Sequence, residues 1–395
     1  MLNHHTINAK KIIVIGDGPA AMITCIKLAQ LGVTDITLIG PRIGYYIRSG
    51  EFNHEVFESV SKIIYPLTIK IPPSYYGSSV NYIRNLEKQL YPLIKQLNIK
   101  CIKKKFVTFI NDKQIKLVNP QNLNDIELIE ADLVFDCTGA KRVVIKELNK
   151  QSQSPIAPFQ VTPVSDLSYD FAMARFDYTA KDNSQVKQAK NNLIAKMLLL
   201  IKLRQLGWPF YTLPCFYHFD WESSNPKQNL YFRYHPNATS EVIKEMACLL
   251  ENYHSLYFYN EKINANTFFH TPSKNYPDKK IISTFKLAPR LTTPSFYEGS
   301  PSLPIVIPLG DSLLDVPFIY AQSLITFTHV LKQLSLSFLI EDGVITKADF
   351  KHYDQQTQNC LASPIKEIKE GFSSYAKKEA IGSVYEETSR IRSYS

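Results

Sequence analysis

The sequence predicts an α/β fold: a Rossmann-like parallel sheet with an inserted, mainly antiparallel β-sheet domain and a helical C-terminal tail. Three observations predict it. Residues 11–39 read as strand, glycine turn, helix, turn and second strand. Ala131–Gly139 is a further apolar strand that ends on Thr-Gly. From about residue 150 the aliphatic runs give way to bulky aromatic ones such as FAMARFDY, NLYFRYH and NTFFHT, the composition of paired strands.

In the first stretch, Lys11–Ile15 is a short apolar strand, broken by Gly16-Asp17-Gly18-Pro19-Ala20-Ala21. Met22–Leu31 then carries apolar residues at helical spacing, and Gly32 closes the helix. Gly16 permits the tight turn, Gly18 lets backbone approach a pyrophosphate, and small Ala21 lets helix pack on strand. Phosphate would then lie over the helix N-terminus, flanked by Pro19 and Ala20. The dinucleotide fingerprint also calls for an acid at the end of the second strand, to bind the adenosine ribose. Here Gly40-Pro41-Arg42 follows Asp35–Ile39 instead. Arg42 is a candidate for a 2′-phosphate, and a solvated loop arginine is the alternative.

The following loop contains Arg48-Ser49-Gly50, where an arginine beside a glycine can reach a cofactor while backbone passes close. Ser79–Leu97 predicts an amphipathic helix with Leu86, Leu90, Leu93, Ile94 and Leu97 as its buried stripe. Arg84 near its start serves no core stripe. Residues 98–118 read as strands, and Gly139 is a second close-approach position at the carboxyl edge of the sheet. Gln188–Leu206 predicts a strongly apolar helix, whose Leu/Ile stripes belong to a core; a membrane-facing or partner-facing role is the alternative. Residues 303–309 form a last buried strand leading to Gly310-Asp311-Ser312. A helix follows over Ala321–Leu336, then a tail of charged helix that packs in solvent or engages a protein partner. The expected organisation is a discontinuous nucleotide domain over 1–150 and 275–340, a substrate domain over 151–274 and a helical segment over 341–395.

With 395 residues, 45% of them hydrophobic, the chain buries a large core, which excludes disordered and fibrous classes. Its formal net charge of +9 comes from dispersed lysines such as Lys103-Lys104-Lys105. Dispersed lysines form solvated faces, so the charge favours anionic cofactors or partners in general over attraction to nucleic acid or an anionic membrane. The six cysteines are scattered without a C-x-x-C pair, which predicts reduced thiols and no metal site. No apolar run approaches the ~18 residues of a membrane span, and the N-terminus lacks a signal-peptide core. A soluble cytoplasmic protein is expected, with secretion by an unreadable signal as the alternative.

Three separated segments, G-D-G-P-A-A at 16–21, D-L-V-F-D-C-T-G at 132–139 and P-L-G-D-S at 308–312, resemble FAD-dependent monooxygenases of the para-hydroxybenzoate hydroxylase type. Ile47-Arg48-Ser49-Gly50 is similar to the flavin-loop segment of those enzymes, and Arg84 to their arginine beside the cofactor. The resemblance implies FAD as cofactor and NAD(P)H as reductant. It implies that Gly16 and Gly18 cradle the pyrophosphate, that Asp311 after Gly310 bonds the ribityl or pyrophosphate part, and that backbone at Ala321, Gln322 and Ser323 approaches the flavin ring. The implied reaction is hydroxylation of a small organic substrate, aromatic or apolar. The chain departs from the family where Tyr320-Ala321-Gln322-Ser323 replaces a glycine-rich stretch and where Ser312-Leu313-Leu314-Asp315 follows Gly310-Asp311. Halogenases, oxidases and reductases share the framework, and a catalytically inactive scaffold binding a protein partner is the reading from another class.

Overall fold

In a computed structural model of the chain, the described residues are 5–46, 52, 54–71, 82–111, 113–152, 156–177, 193–219, 227–258, 282–317 and 323–392. They fall into two compact units. The first lies within Met1–Tyr75, Val80–Ser165 and Pro289–Ile368, the second within Asp166–Ala288 and Lys369–Ser395.

The first unit opens with β1 (His5–Ala9), β2 (Ile12–Ile15), α1 (Pro19–Gln30) and β3 (Ile36–Ile39). Then come α2 (His54–Ile63), α3 (Ile83–Gln96), β4 (Lys100–Ile102), β5 (Lys105–Ile110), β6 (Gln114–Asn119), β7 (Asn122–Glu130) and β8 (Leu133–Asp136). Helix α4 (Val143–Gln151) and β9 (Gln160–Pro163) close this stretch. The central sheet has the order β15-β8-β2-β3-β4, with β15 at Ile305–Pro308, and every pairing in it is parallel. Strands β2, β3, β8 and β15 are buried along their whole length, so they read as continuous apolar runs without alternation. Strands β5, β6 and β7 form a separate antiparallel sheet. Its Phe106, Phe109, Ile115 and Leu117 join Ile13, Ile15 and Val134 in one core.

Helix α3 buries Leu86, Leu90 and Ile94, with Leu93 and Leu97 at its margin. Helix α7 (Ser323–Leu336) packs on α1 and α2. The chain after it is not helical at once. β16 (Phe338–Glu341) and β17 (Val344–Ala348) form a hairpin that pairs with β1, and the helical tail α8 runs from Phe350 to Arg392. The short alternating apolar residues of 338–348 carry strand character that a reading for charge alone overlooks. Strand β14 (Arg290–Thr293) pairs with β9.

The second unit is built on β10 (Tyr169–Asp177), the centre of an antiparallel sheet of order β11-β12-β10-β13, with β11 at Phe216–Phe219, β12 at Lys227–Arg233 and β13 at Ile282–Leu287. One face of the sheet, Ala172, Ala174, Phe176, Leu230 and Phe232, packs against α5 (Leu193–Gln205) and α6 (Ser240–Phe258). The other face carries Phe171, Met173, Tyr231 and Phe285, with Phe171 stacked on Phe285 at 6.3 Å. Helix α5 corrects the expectation of a core helix. Only Ala195, Leu199 and Leu203 are buried, while Leu193, Ile194, Met197, Leu198 and Ile201 are all more than half exposed. The run NTFFHT lies outside the described residues. No described helix is long and apolar enough to cross a membrane.

Candidate functional site

From β2 the chain continues to β3 and β4 on one side, whereas β8 and β15 lie on the other, so strand order reverses between β2 and β8. Ligands of open α/β sheets bind at the carboxyl ends of the strands at such a switch point. Three turns meet there. Gly16–Gly18 leaves β2, Cys137–Gly139 leaves β8 and Leu309–Ser312 leaves β15. Each first residue is tied to its neighbour strand: Gly16 N to Ile39 O at 2.8 Å, Cys137 N to Ile15 O at 2.8 Å and Leu309 N to Asp136 O at 2.9 Å.

Gly16 is required by packing as well as by its turn. Its φ is +149°, and a Cβ there would lie 2.3 Å from the Cys137 carbonyl oxygen. Gly18 is the N-cap of α1 in extended backbone and Pro19 occupies the first turn, so no side chain caps the helix. The first-turn N–H groups of Ala20 and Ala21 are therefore served by no cap. Ala21 is fully buried against the sheet, as its size predicts. Gly310, at φ +60°, stands so close to α1 that a Cβ would lie 3.2 Å from the Ala20 Cβ. Gly139 has φ +72° and open space where its Cβ would be.

Arg42, its side chain 34% exposed, is tied into the glycine turn. Its guanidinium and backbone grip Asp17: Nε donates to Oδ2 at 3.2 Å, the backbone N–H to the same oxygen at 3.1 Å, and Nη2 to Oδ1 in an ion pair. The Asp17 side chain is 10% exposed, so this carboxylate is nearly withdrawn from water. A Cβ on Gly40 would fall 2.6 Å from the Asp17 Cβ.

Asp311 follows Gly310, and its Oδ1 accepts a hydrogen bond from the Ser323 hydroxyl at the start of α7. Ser323 is thereby brought to the Gly310 turn. Arg84 lies on the first turn of α3, half-buried, with its guanidinium 4.7 Å from the Tyr82 ring centroid. Helix α3 itself packs beside α1. Arg48, Ala321 and Gln322 lie outside the described residues.

Beneath the turns is a buried polar cluster that sequence reasoning missed. Asp136, fully buried at the end of β8, accepts from the Thr138 backbone N–H at 2.8 Å, the Thr138 hydroxyl at 2.6 Å and Ile145 N at 3.3 Å. Burial nevertheless holds its carboxyl above the ordinary range. The Ser312 hydroxyl lies 3.1 Å from both Asp136 Oδ1 and Gly139 O, which ties the second turn to the third. Arg142 is fully buried at φ +49°. It donates to Thr292 Oγ1 at 3.0 Å, Ser312 O at 3.1 Å, Ala140 O at 3.2 Å and Arg290 O at 2.8 Å. A left-handed conformation in a non-glycine residue persists where its surroundings over-determine it, as these four bonds do. Asp315 stands about 4 Å from both Arg142 and Arg290. Burial and the neighbouring Asp311 push its carboxyl up to about 6. Asp136, Ser312 and Asp315 stand in the motif segments quoted above, whereas the sequence signal for Arg142 was an arginine three residues after Gly139.

No family model matches the chain, and no curated protein matches it. Solved structures do. A variant of 2-methyl-3-hydroxypyridine-5-carboxylic acid oxygenase is 13% identical, covers 94% of this chain and 92% of its own, and superposes with a TM-score of 0.56. p-Nitrophenol 4-monooxygenase PnpA from Pseudomonas putida DLL-E4 is 10% identical over 94% of this chain and 87% of its own, with a TM-score of 0.51. A flavoprotein/dehydrogenase from Cytophaga hutchinsonii is 11% identical over 89% and 79%, with a TM-score of 0.50. At these identities the likeness is one of fold, which the chain shares with these two oxygenases and the flavoprotein/dehydrogenase.

Proposed function

We propose that this chain binds FAD and acts as a flavin-dependent oxidoreductase, specifically an NAD(P)H-driven monooxygenase that hydroxylates a small aromatic or apolar substrate. The observation that carries the reading is the meeting of three turns at the switch point of the parallel sheet, with Gly310 against Ala20. The residues present fit the pyrophosphate half of the dinucleotide, because an uncapped helix N-terminus bordered by glycines is an anion site.

In this reading the Gly16–Ala21 turn, with Gly18, Pro19 and Ala20, holds the pyrophosphate through backbone N–H groups. Arg42 neutralises Asp17, whose charge would otherwise oppose the phosphates. Asp311, oriented by Ser323, bonds the ribityl chain, and Gly139 leaves room for close approach. Arg48, Arg84, Ala321 and Gln322 are assigned to the ring side by resemblance alone. When bound, FAD supplies two-electron acceptance from NAD(P)H and reaction with dioxygen. The protein orients the groups and excludes water.

We assign the substrate to the second unit, on the sheet face that carries Phe171, Met173, Tyr231 and Phe285. An aromatic substrate is supported by the name of p-nitrophenol 4-monooxygenase PnpA, a protein of like fold. A reducing, cytoplasmic setting belongs to the same reading, from six cysteines scattered without a C-x-x-C pair.

Titration of the purified protein with FAD, followed by quenching of flavin fluorescence, tests the reading. Saturable quenching that is lost in Gly310→Val supports it. Absence of quenching in a protein with intact circular dichroism overturns it.

A further inference from the structure

Helix α5 presents its apolar side to solvent. Leu193, Ile194, Met197, Leu198 and Ile201 are exposed by 68, 70, 56, 55 and 52%. Positions 193, 197 and 201 form one row along the helix and 194 and 198 the adjacent one, so the five side chains make a single stripe. The opposite side, Ala195, Leu199 and Leu203, is seated in the core of the second unit beside Trp208, Leu230 and Met246. A contiguous apolar stripe of this kind marks an interaction surface.

The charges around the stripe identify what it meets. At about 3.6 residues per turn, Lys196 falls on one border between stripe and core face and Lys202 on the other. From Asn183 to Phe219 the sequence holds Lys187, Lys190, Lys196, Lys202 and Arg204 and no Asp or Glu. Near the end of the helix the Arg204 guanidinium stacks 3.8 Å from the centroid of Tyr211, an aromatic residue that is itself 37% exposed. A second copy facing α5 across a two-fold axis would set lysine against lysine with no acid on the helix to receive them. An anionic bilayer is complementary on both counts. Its acyl boundary takes the apolar stripe, and its phosphates take the ammonium groups that flank it.

We propose that α5 is a peripheral membrane-docking helix that lays Leu193, Ile194, Met197, Leu198 and Ile201 into the headgroup–acyl boundary of an anionic membrane, with Lys196 and Lys202 reaching the lipid phosphates. This surface stands apart from the dinucleotide reading and does not depend on it.

The test is flotation of the full chain with vesicles of phosphatidylcholine alone or mixed with phosphatidylserine. The chain floats with the mixed vesicles, binds pure phosphatidylcholine at least about tenfold less well, and is released by salt. Ile194→Gln/Leu198→Gln, at exposed positions that leave the core intact, lowers binding by more than about tenfold, and Lys196→Gln/Lys202→Gln by about tenfold. Failure of the wild-type chain to float with mixed vesicles overturns the proposal, as does equal flotation of all three proteins. A wild-type dimer that the apolar double variant converts to monomer, without vesicle binding, also overturns it and assigns the stripe to self-association.

Discussion

Asp17 and Gly40 are sterically exclusive partners: a Cβ at position 40 would lie 2.6 Å from the Asp17 Cβ and 3.0 Å from the Gly16 carbonyl oxygen. A side chain at the end of the second strand, where a dinucleotide fold ordinarily carries an acid, meets both the residue-17 Cβ and the Gly16 backbone. Positions 17 and 40 thus exchange side-chain space. Arg42 holds the Asp17 carboxylate through side chain and backbone together.

Restoring an acid at position 40 therefore does harm. Gly40→Glu destabilises the protein by about 2–3 kcal/mol, the cost of overpacking a site bounded partly by backbone. Asp17→Gly in the same chain recovers about half of that loss. A double-mutant cycle in urea checks the coupling, and strictly additive effects would refute the exchange.

Removing the cation acts on ligand rather than on packing. Arg42→Ala leaves a nearly buried carboxylate facing the anion site, and FAD affinity falls by about tenfold. Asp17→Asn added to Arg42→Ala restores most of it, because the opposing charge is then gone. Flavin fluorescence titration of the two proteins measures the difference.

The buried arginine beneath the turns is a structural pin. Arg142→Ala leaves Ser312 O, Ala140 O and Arg290 O without the guanidinium and costs about 3–5 kcal/mol in denaturant unfolding. Arg142→Lys, a point charge without the planar fork, recovers only part of this.

In the second unit, burial pushes Glu251 in α6 from 4.5 up to about 8. Its folded value lies above its unfolded one, so unfolding releases a proton between these limits. The stability linked to the neutral carboxyl is fully present below pH 4.5 and is lost as pH rises towards about 8. Glu251→Gln therefore gains on the wild type progressively through that window, by about 5 kcal/mol at most, and the gain levels off above it. Unfolding midpoints from pH 5 to 9 test the slope, and a pH-independent difference would contradict it.

The parallel sheet was legible because four of its strands are buried on both sides and so read as unbroken apolar runs, and because Gly16 sits where only glycine fits and Gly310 where a Cβ would be strained and tight against Ala20. The antiparallel unit showed itself through the aromatic content of β10 and β12. What stayed hidden depended on contacts far apart in sequence. The Asp17–Arg42 pair spans 25 residues, and its clue lay in reading the absent acid at 40 together with the extra acid at 17. Arg142 bonds residues some 150 and 170 positions away, which no local pattern announces. Helix α5 misled because apolar spacing reports a helix but not which of its sides faces the core. The hairpin over β16 and β17 was concealed by its neighbours, since charge alternation in the tail dominates a composition-based reading.

In the proposed function the glycine turns at the sheet edge hold a redox-active flavin. The visible absorption spectrum of the freshly purified protein, repeated after addition of FAD and then of NADPH, tests this most directly. Flavin bands that co-elute with the protein and bleach on addition of NADPH are expected. A folded protein that takes up no flavin, or whose bound flavin is left oxidised by both NADH and NADPH, would contradict this reading.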